Sequence, residues 1–233
     1  DTLGSVSVGG MELFHETYRP LLFPVERVPA PHCYRCSLGL SRPSCGLKCA
    51  DVMEATLDRL GGRAAAMIVE PLVQGAAGML VHPEGYLARV RRACDRVGAL
   101  LIADEVAVGF GRTGRLFACD HEHVVPDLLC LAKGLTGGYL PLAATVAREH
   151  VYAAFLGRRE ELRTFFHGHT YTGNALASAA ALANLDIFEQ YRVIDGLAAK
   201  IDRLRAALAP VAAMAHVGDV RQRGLMVGIE LVA

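Results

Sequence analysis

Two short apolar runs that each end near a charged residue constrain the fold of this chain most strongly. Residues 100–103 lead into Asp104, and residues 128–131 lead through Ala132 into Lys133. Continuous apolar runs of this length are typical of buried parallel strands. The carboxyl ends of such strands form the edge of an open α/β sheet where ligands bind. The sequence therefore predicts Asp104 and Lys133 at a ligand-binding edge.

A carboxylate and an amine in these positions suit pyridoxal phosphate. A lysine can form a Schiff base with this cofactor, and a carboxylate can keep its pyridine nitrogen protonated so that the ring accepts electrons. Taken singly, Asp104 could be a turn former after a strand and Lys133 a surface lysine. The pair alone leaves both interpretations open.

Apolar runs and helical patterns alternate along the chain, which favours an α/β fold with a mostly parallel sheet and helices on both faces. The predicted strands are residues 65–69, 99–103, 128–131 and 142–146. A helix is predicted between the first two strands, from near Pro83 to a stop at Gly98. Its apolar face comprises Leu87, Val90 and Cys94.

Two further helices are predicted near the C-terminal end. Asn174 can cap the first, which runs to about Gln190. The apolar residues of the second recur at spacings of three and four, which is typical of an amphipathic helix. They are Ile194, Leu197, Ile201, Leu204 and Leu208. Residues 217–232 then resemble strands of another layer, and a domain boundary is placed near Tyr191.

Composition argues against several classes of function. The formal net charge is zero, with 24 residues of each sign, so no surface for nucleic acid or anionic membrane is indicated. Residues 164–185 lack Asp, Glu, Lys and Arg, but two histidines, Gly173 and Asn174 argue against a transmembrane helix there. The first residues have no signal-peptide pattern, and the odd number of cysteines, seven, favours a reducing cytoplasm.

The sequence G-F-G-R-T-G at residues 109–114 matches the dinucleotide fingerprint G-x-G-x-x-G. That fingerprint needs a helix that begins at its last glycine. The histidines and Pro126 that follow leave no room for such a helix. We therefore interpret the segment as a glycine-rich active-site loop. No G-x-S-x-G motif of serine hydrolases is present.

A cysteine-rich segment is the strongest competing pattern. Its members are Cys33, Cys36, Cys45 and Cys49. The first pair has zinc-knuckle spacing, and four thiolates could close a tetrahedral zinc site that acts as a structural staple. The second pair is spaced differently and the loop between the pairs is short, so reduced, partly packed thiols are the preferred interpretation. No metal ligand is assigned, and a zinc-stabilised, non-catalytic binding domain stays open as an alternative.

Several separated motifs resemble the class III (omega) aminotransferases. They are L-I-A-D-E-V before the glycine-rich loop, V-E-P-L-V-Q-G-A-A-G-M at residues 69–79, P-D-L-L-C-L-A-K-G-L-T-G-G at residues 126–138, and F-F-H-G-H-T-Y-T-G-N-A-L-A at residues 165–177. The motifs occur in the family's order and extend over almost the whole chain. H-G-H-T-Y-T-G-N and D-E-V-A are most similar to the branch of the family that serves biotin synthesis.

The resemblance implies a fold-type-I transferase with pyridoxal 5'-phosphate as cofactor. Lys133 matches the Schiff-base lysine, which also contacts the substrate and moves its proton. Asp104 matches the carboxylate paired with the pyridine nitrogen, which keeps the ring cationic. Val106 matches an apolar residue that packs on the ring face. These matches imply that Asp104 and Lys133 are catalytic and that all three residues bind the cofactor.

The resemblance also implies a homodimer with a shared active site. His169 and Thr170 match the residues that contact the cofactor phosphate from the neighbouring subunit, and Gly168 matches a substrate-contacting backbone position. Two alanines depart from the wider family. Ala107 stands where many members have a glutamine, and Ala76 stands where enzymes of α-amino dicarboxylates have a glutamate. Both alanines resemble the biotin branch.

The implied reaction converts 8-amino-7-oxononanoate to 7,8-diaminononanoate, with S-adenosylmethionine or lysine as amino donor. A different omega-amino-acid:pyruvate aminotransferase is the alternative. Residues 1–190 are expected to form part of a large cofactor-binding domain. Residues 191–233 are expected to form a connecting helix and the start of a smaller C-terminal α+β domain. In the family, the phosphate cup and the arginine for the substrate carboxylate lie outside the matching part, so the chain is expected to be a fragment.

Overall fold

The computed structural model describes residues 2–233, which form eight strands and seven α-helices. The strands are β1 (Ala66–Val69), β2 (Val73–Gln74), β3 (Leu80–Val81), β4 (Leu100–Asp104), β5 (Leu128–Leu131), β6 (Ala144–Ala147), β7 (Val217–Arg223) and β8 (Met226–Leu231). The helices are α1 (Leu3–Val8), α2 (Glu12–His15), α3 (Lys48–Leu60), α4 (Tyr86–Val97), α5 (Glu149–Ala153), α6 (Ala175–Gln190) and α7 (Leu197–Leu208). The four predicted strands of the main sheet are therefore confirmed, with shifts only at their ends.

The main sheet has the order β1-β4-β5-β6. Strands β1, β4 and β5 are parallel, as predicted, whereas β6 pairs with β5 in the antiparallel direction. The connection from β5 to β6 contains a short 3-10 turn, Lys133–Thr136, and no crossover helix. A parallel partner would need such a crossover, so the chain instead returns along the neighbouring strand.

One face of the sheet carries the largest core. Leu101 and Ala103 of β4 are fully buried under α4, whose predicted apolar face is also buried. Helix α4 ends at Gly98, which has φ +72° and thus takes the left-handed conformation that glycine adopts without strain. Helix α3 packs beside α4 through Met53 and Leu57, which are buried in the same core.

The sequence did not predict α3. Its N-terminal residue follows Leu47, a left-handed residue with no side-chain cap, so the usual signal of a helix start is missing. By contrast, the predicted cap of α6 is confirmed. The side-chain oxygen of Asn174 accepts a hydrogen bond of 3.0 Å from the Ala177 N–H, and the helix ends at Gln190. Among residues 2–233, no helix combines the length and apolar character needed to cross a bilayer.

The C-terminal hairpin, β7 and β8, forms a separate two-stranded antiparallel sheet. It contacts the glycine-rich loop, because the Leu225 N–H donates a hydrogen bond of 2.8 Å to the Arg112 carbonyl. A Cβ at Gly224 would lie only 2.4 Å from that carbonyl oxygen, so only glycine fits the turn. The domain boundary near Tyr191 stays a prediction.

Candidate active site

The candidate site lies at the carboxyl edge of the main sheet, where β4 and β5 end side by side. Asp104 is the last residue of β4 and pairs in register with Cys130 of β5. Lys133 follows β5 directly, after Ala132. The structure therefore brings the predicted carboxylate and amine to one edge. One oxygen of Asp104 accepts a hydrogen bond of 3.0 Å from the Val106 N–H, which fixes the turn after the strand.

An open cleft lies beside the carboxyl edge of the sheet. Its wall includes Ile68 of β1, Cys130 of β5, Asp104 and Val106. Helix α1 and the extended segment of residues 23–31 contribute to the remaining walls. The Asp104 carboxylate is half-buried in this cleft, so it meets both protein and solvent. The side of the sheet with the candidate carboxylate is thus accessible to a planar ligand.

The backbone at Lys133 has an uncommon conformation. Lys133 has φ +46°, in the left-handed region that residues with a Cβ rarely adopt, and its side chain is exposed. Such strain is maintained only where surrounding contacts fix it, and it is concentrated at functional positions. The sharp turn stops β5 and directs the chain away from the sheet at this residue.

Two neighbouring groups hold the Lys133 turn. The Asn184 side-chain amide of α6 donates hydrogen bonds of 2.8 and 3.1 Å to the carbonyls of Gly134 and Leu135. Phe110 of the glycine-rich loop packs against Gly134, where an added Cβ would lie 2.7 Å from the Phe110 Cβ. Sequence reasoning missed Asn184, because an asparagine within a helix gives no signal of the turn that it contacts.

Glu105 anchors the loop that follows β4. This residue is fully buried, and its carboxylate accepts hydrogen bonds of 2.7 Å from the Ala118 N–H and 2.8 Å from the Cys119 N–H. Burial raises the pKa of Glu105, while the two N–H groups oppose that shift. Adjacent residues of the D-E pair therefore have different tasks, since Asp104 faces the cleft and Glu105 holds the backbone.

A second carboxylate, Glu70, lies near the candidate pair. It follows β1 and is half-buried in the cleft wall, where it accepts a hydrogen bond of 2.9 Å from the Gly75 N–H. Burial raises the pKa of Glu70; the Asp104 charge adds to this, and the Gly75 N–H and the Lys133 ammonium oppose it. The V-E-P motif indicated the family, but it did not predict that the Glu70 carboxylate lies near both Asp104 and Lys133.

The glycine-rich loop at residues 109–114 is confirmed as a loop. It contains only turns, and no helix begins at Gly114. Gly111 and Gly114 have φ +87° and +102°, and their backbones approach Leu197 and Ile201. The helix that a dinucleotide fingerprint requires is therefore missing from this segment.

The predicted phosphate-contacting residues do not line this cleft. Gly168, His169 and Thr170 are exposed in the loop before α6, and none of them lines the cleft that contains Asp104. Phe166 and Tyr171 beside them are 79% and 76% exposed. The loop therefore does not contribute to the wall of that cleft.

The two alanines that depart from the wider family lie close together. Ala76 lines the cleft next to Gly75. A Cβ on Gly75 would lie 3.5 Å from the Ala107 Cβ, so the two segments are in van der Waals range. No amide or carboxylate is available at either position to contact a ligand.

The fold, and the residues at the carboxyl edge of its main sheet, indicate the class of the protein. The family model described as aminotransferase class-III matches residues 1–233, so the chain belongs to the class III aminotransferases. Its α/β sheet is that of the fold-type-I transaminases, as the sequence predicted.

Individual relatives carry a more specific name than the family as a whole. The chain is 60% identical to an adenosylmethionine-8-amino-7-oxononanoate aminotransferase of Nitratidesulfovibrio vulgaris, with 100% of the chain and 43% of that protein covered. It is 54% identical to a protein of the same name from Geobacter sulfurreducens, with 100% and 51% covered. The crystal structure of the enzyme of that name from Methanocaldococcus jannaschii superposes with a TM-score of 0.92 at 44% identity, covering 100% of this chain and 51% of that one.

A solved transaminase with L-ala superposes with a TM-score of 0.89 at 35% identity and covers 99% of this chain. The chain thus spans about half the length of the curated relatives that it matches. Because the whole chain matches the aminotransferase family, a zinc-stabilised, non-catalytic domain is not supported as an account of its fold.

Proposed function

We propose that the complete protein is a pyridoxal-phosphate-dependent aminotransferase of biotin synthesis, which converts 8-amino-7-oxononanoate to 7,8-diaminononanoate. The observation that carries this proposal is the pairing of β4 with β5, which sets Asp104 and Lys133 at one sheet edge. Family membership and relatives at up to 60% identity support the same reaction.

The residues present fit this cofactor. A half-buried carboxylate faces an open cleft, an apolar Val106 lies beside it, and an exposed amine leaves the adjacent strand. When bound, pyridoxal phosphate supplies a ring that accepts the electrons released as a substrate C–H bond breaks. Asp104 would hold the pyridine nitrogen protonated, and Val106 would pack on the ring face.

Lys133 would have two tasks. Its Nζ would attach the cofactor covalently, and after release it would carry the proton between substrate and cofactor. The strained turn and the Asn184 hydrogen bonds would limit the directions in which the side chain can leave the backbone. Gly168 would contact the substrate through its backbone.

We infer S-adenosylmethionine as the amino donor. The names of the Nitratidesulfovibrio and Geobacter relatives contain it, and lysine is the competing donor. Ala76 adds no carboxylate of its own beside Glu70 in the cleft wall, which agrees with a substrate other than an α-amino dicarboxylate.

We infer that the working unit is a homodimer in the cytoplasm. His169 and Thr170 would reach the cofactor phosphate of the neighbouring subunit, since their loop is exposed and does not line the cleft of its own chain. Apolar side chains of that loop and of α6 are also exposed, and large exposed apolar side chains of this kind fit an interface core. They include Phe165, Phe166, Tyr171, Leu176 and Leu182.

A donor screen of the complete protein tests the proposal. Purified protein with pyridoxal phosphate is given 8-amino-7-oxononanoate and either S-adenosylmethionine, lysine or alanine, and 7,8-diaminononanoate is quantified by mass spectrometry. We expect product with S-adenosylmethionine. Product with lysine alone would overturn the inferred donor. No product with any of the three donors, together with amino transfer from an omega-amino acid to pyruvate in a parallel assay, would overturn the proposed substrate.

A further inference from the structure

The segment between α2 and α3 is a long irregular loop that nevertheless forms part of the cleft wall. Residues 22–47 contain no helix or strand. Loops of this length without secondary structure are uncommon in compact domains and need an additional source of order. Residues 23–31 line the cleft, and Tyr34 and Arg35 contact Gly218 and Glu230 of the C-terminal hairpin. An interaction that orders this loop would therefore also order the cleft wall and stabilise the position of the C-terminal hairpin.

Four thiols of this segment surround one small cavity. Cys33, Cys36, Cys45 and Cys49 all line it, and all four are half-buried. The cavity volume is about 20 Å³, which is the size of a single water molecule or ion. Folding therefore brings both cysteine pairs to the wall of one small cavity.

The charged side chains near the four thiols are basic. Between Cys33 and Cys49 the chain has three basic residues, Arg35, Arg42 and Lys48, and no acidic residue. The Arg42 guanidinium lies beside the Cys33 thiol, and Cys49 lies in the first turn of α3, where backbone N–H groups point outward. Four thiolates around a divalent ion carry a net charge of −2, so these cationic groups compensate the charge that such a site would have.

A different cluster, at the C-terminal hairpin, does not fit a metal. His32, Asp219 and Glu230 have their ligand atoms within 4.8 Å of one another, and among the described residues no other group of this kind is found. Arg221 donates hydrogen bonds of 2.7 and 3.2 Å to the two carboxylates, so that cluster is an ion-pair network. No three of the four cysteine sulfurs lie within this limit of one another, so binding one ion requires these side chains to rotate about their Cα–Cβ bonds.

We propose that Cys33, Cys36, Cys45 and Cys49 bind one zinc ion, which staples the irregular loop against α3 and the C-terminal hairpin. Thiolates are soft ligands, and four of them prefer tetrahedral zinc to magnesium or calcium. All four positions of the tetrahedron are filled by protein, so the ion is structural and leaves no site for a substrate. The proposal is independent of the amino-transfer reaction.

Metal analysis of the complete, purified protein tests this proposal. We expect about one zinc per chain after extensive dialysis, with release by a thiol-specific mercurial reagent and detection by a metallochromic dye. Protein from cells grown with cobalt should show the visible bands of tetrahedral thiolate-bound Co(II). Cys33→Ser and Cys45→Ser should each lose nearly all of the zinc and lower Tm, whereas Cys94→Ala, a change in the α4 core, should keep the zinc.

Several results would overturn the proposal. One is a folded wild-type protein that contains no zinc after growth in zinc-rich medium, with all four thiols free to react. A disulfide among the four cysteines in protein purified without oxidant, or iron in place of zinc, would also contradict it. If the serine variants fail to fold, the cobalt spectrum of the wild type still decides between these outcomes.

Discussion

Asp104 and Cys130 occupy the same level of two adjacent parallel strands. Strand β5 ends one residue after Cys130, so Lys133 leaves the sheet at the same edge as Asp104. In a strand, a register shift of one residue exchanges the two faces. Such a shift would turn the Asp104 side chain toward α4 and away from the cleft. The candidate site therefore depends on the pairing of β4 with β5.

Lys133 is predicted to be the residue that binds the cofactor covalently. Borohydride treatment of the complete protein should fix the cofactor on this lysine, and peptide mapping should identify it. Lys133→Ala should lower turnover by about 10³-fold or more, because the nucleophile and the proton carrier are lost together. Lys200→Ala, a change on the exposed side of α7, is the matched control and should have full activity. Cofactor mapped to another lysine would contradict the assignment.

Asp104→Asn should slow the chemical step without preventing cofactor binding. The amide has the shape of the carboxylate but cannot stabilise a protonated pyridine nitrogen. The expected loss is about 3 kcal/mol in the barrier, or roughly 10²-fold in kcat, on the scale of one preorganised electrostatic group. Single-turnover absorbance measurements separate binding from proton removal. A variant with the kcat of the wild type would show that Asp104 does not have this role.

Thr170 should act on the neighbouring subunit. Thr170→Ala should weaken cofactor affinity by about 1–3 kcal/mol, since a buried charged acceptor loses a donor. Thr164→Ala, in the same exposed loop, should not change this affinity. Equilibrium dialysis of the cofactor provides the measurement.

The shared site can be tested with hybrid dimers. Mixing Lys133→Ala with Thr170→Ala protein should partly restore activity, because some hybrid dimers contain one intact site. Mixing two samples that both carry Lys133→Ala should restore none. A fully active monomer in sedimentation experiments would refute the shared site.

Glu105→Ala should destabilise the fold. The substitution leaves the N–H groups of Ala118 and Cys119 buried without their acceptor. Each buried unsatisfied group costs about 1–3 kcal/mol, so a loss of about 3 kcal/mol or more in the free energy of unfolding is expected. Urea titration measures it. Glu160→Ala on the surface should change stability by less than about 0.5 kcal/mol.

Asp127 should make stability sensitive to acid. Burial alone raises the pKa of Asp127, but the Leu101 N–H at 2.8 Å and the Arg91 guanidinium at 2.7 Å outweigh burial and hold the pKa below its usual value. A carboxyl group with a lowered folded-state pKa stabilises the fold above its unfolded-state pKa, and this contribution is lost as pH falls through the folded-state pKa.

The free energy of unfolding of the wild type should therefore fall as pH is lowered below about 4, the ordinary aspartate range. Asp127→Asn should be less stable at neutral pH, and its free energy of unfolding should fall less steeply as pH is lowered below about 4. Asp202→Asn on the exposed face of α7 is the control and should follow the wild-type curve. If the free energy of unfolding of Asp127→Asn fell with acid as steeply as that of the wild type, this carboxyl group would not be the cause of the acid sensitivity.

Local patterns predicted much of the fold because their signals lie within short segments. Apolar runs located β1, β4 and β5, and the Asn174 cap and Gly98 stop located the ends of α6 and α4. Helix α3 was missed because its start has no capping residue, and the antiparallel direction of β6 was missed because strand direction depends on the whole connection. The roles of Gly168, His169 and Thr170 stay predictions.

The sequence by itself determined the α/β class, the family, and the placement of Asp104 and Lys133 after two buried strands, because these depend on residue type and local spacing. Only the tertiary structure decided which groups surround that pair. Asn184 reaches the Lys133 turn from α6, and Glu70 approaches both residues from β1. Such contacts join residues far apart in the chain, and their partners are selected by how strands and helices pack, which local spacing does not encode.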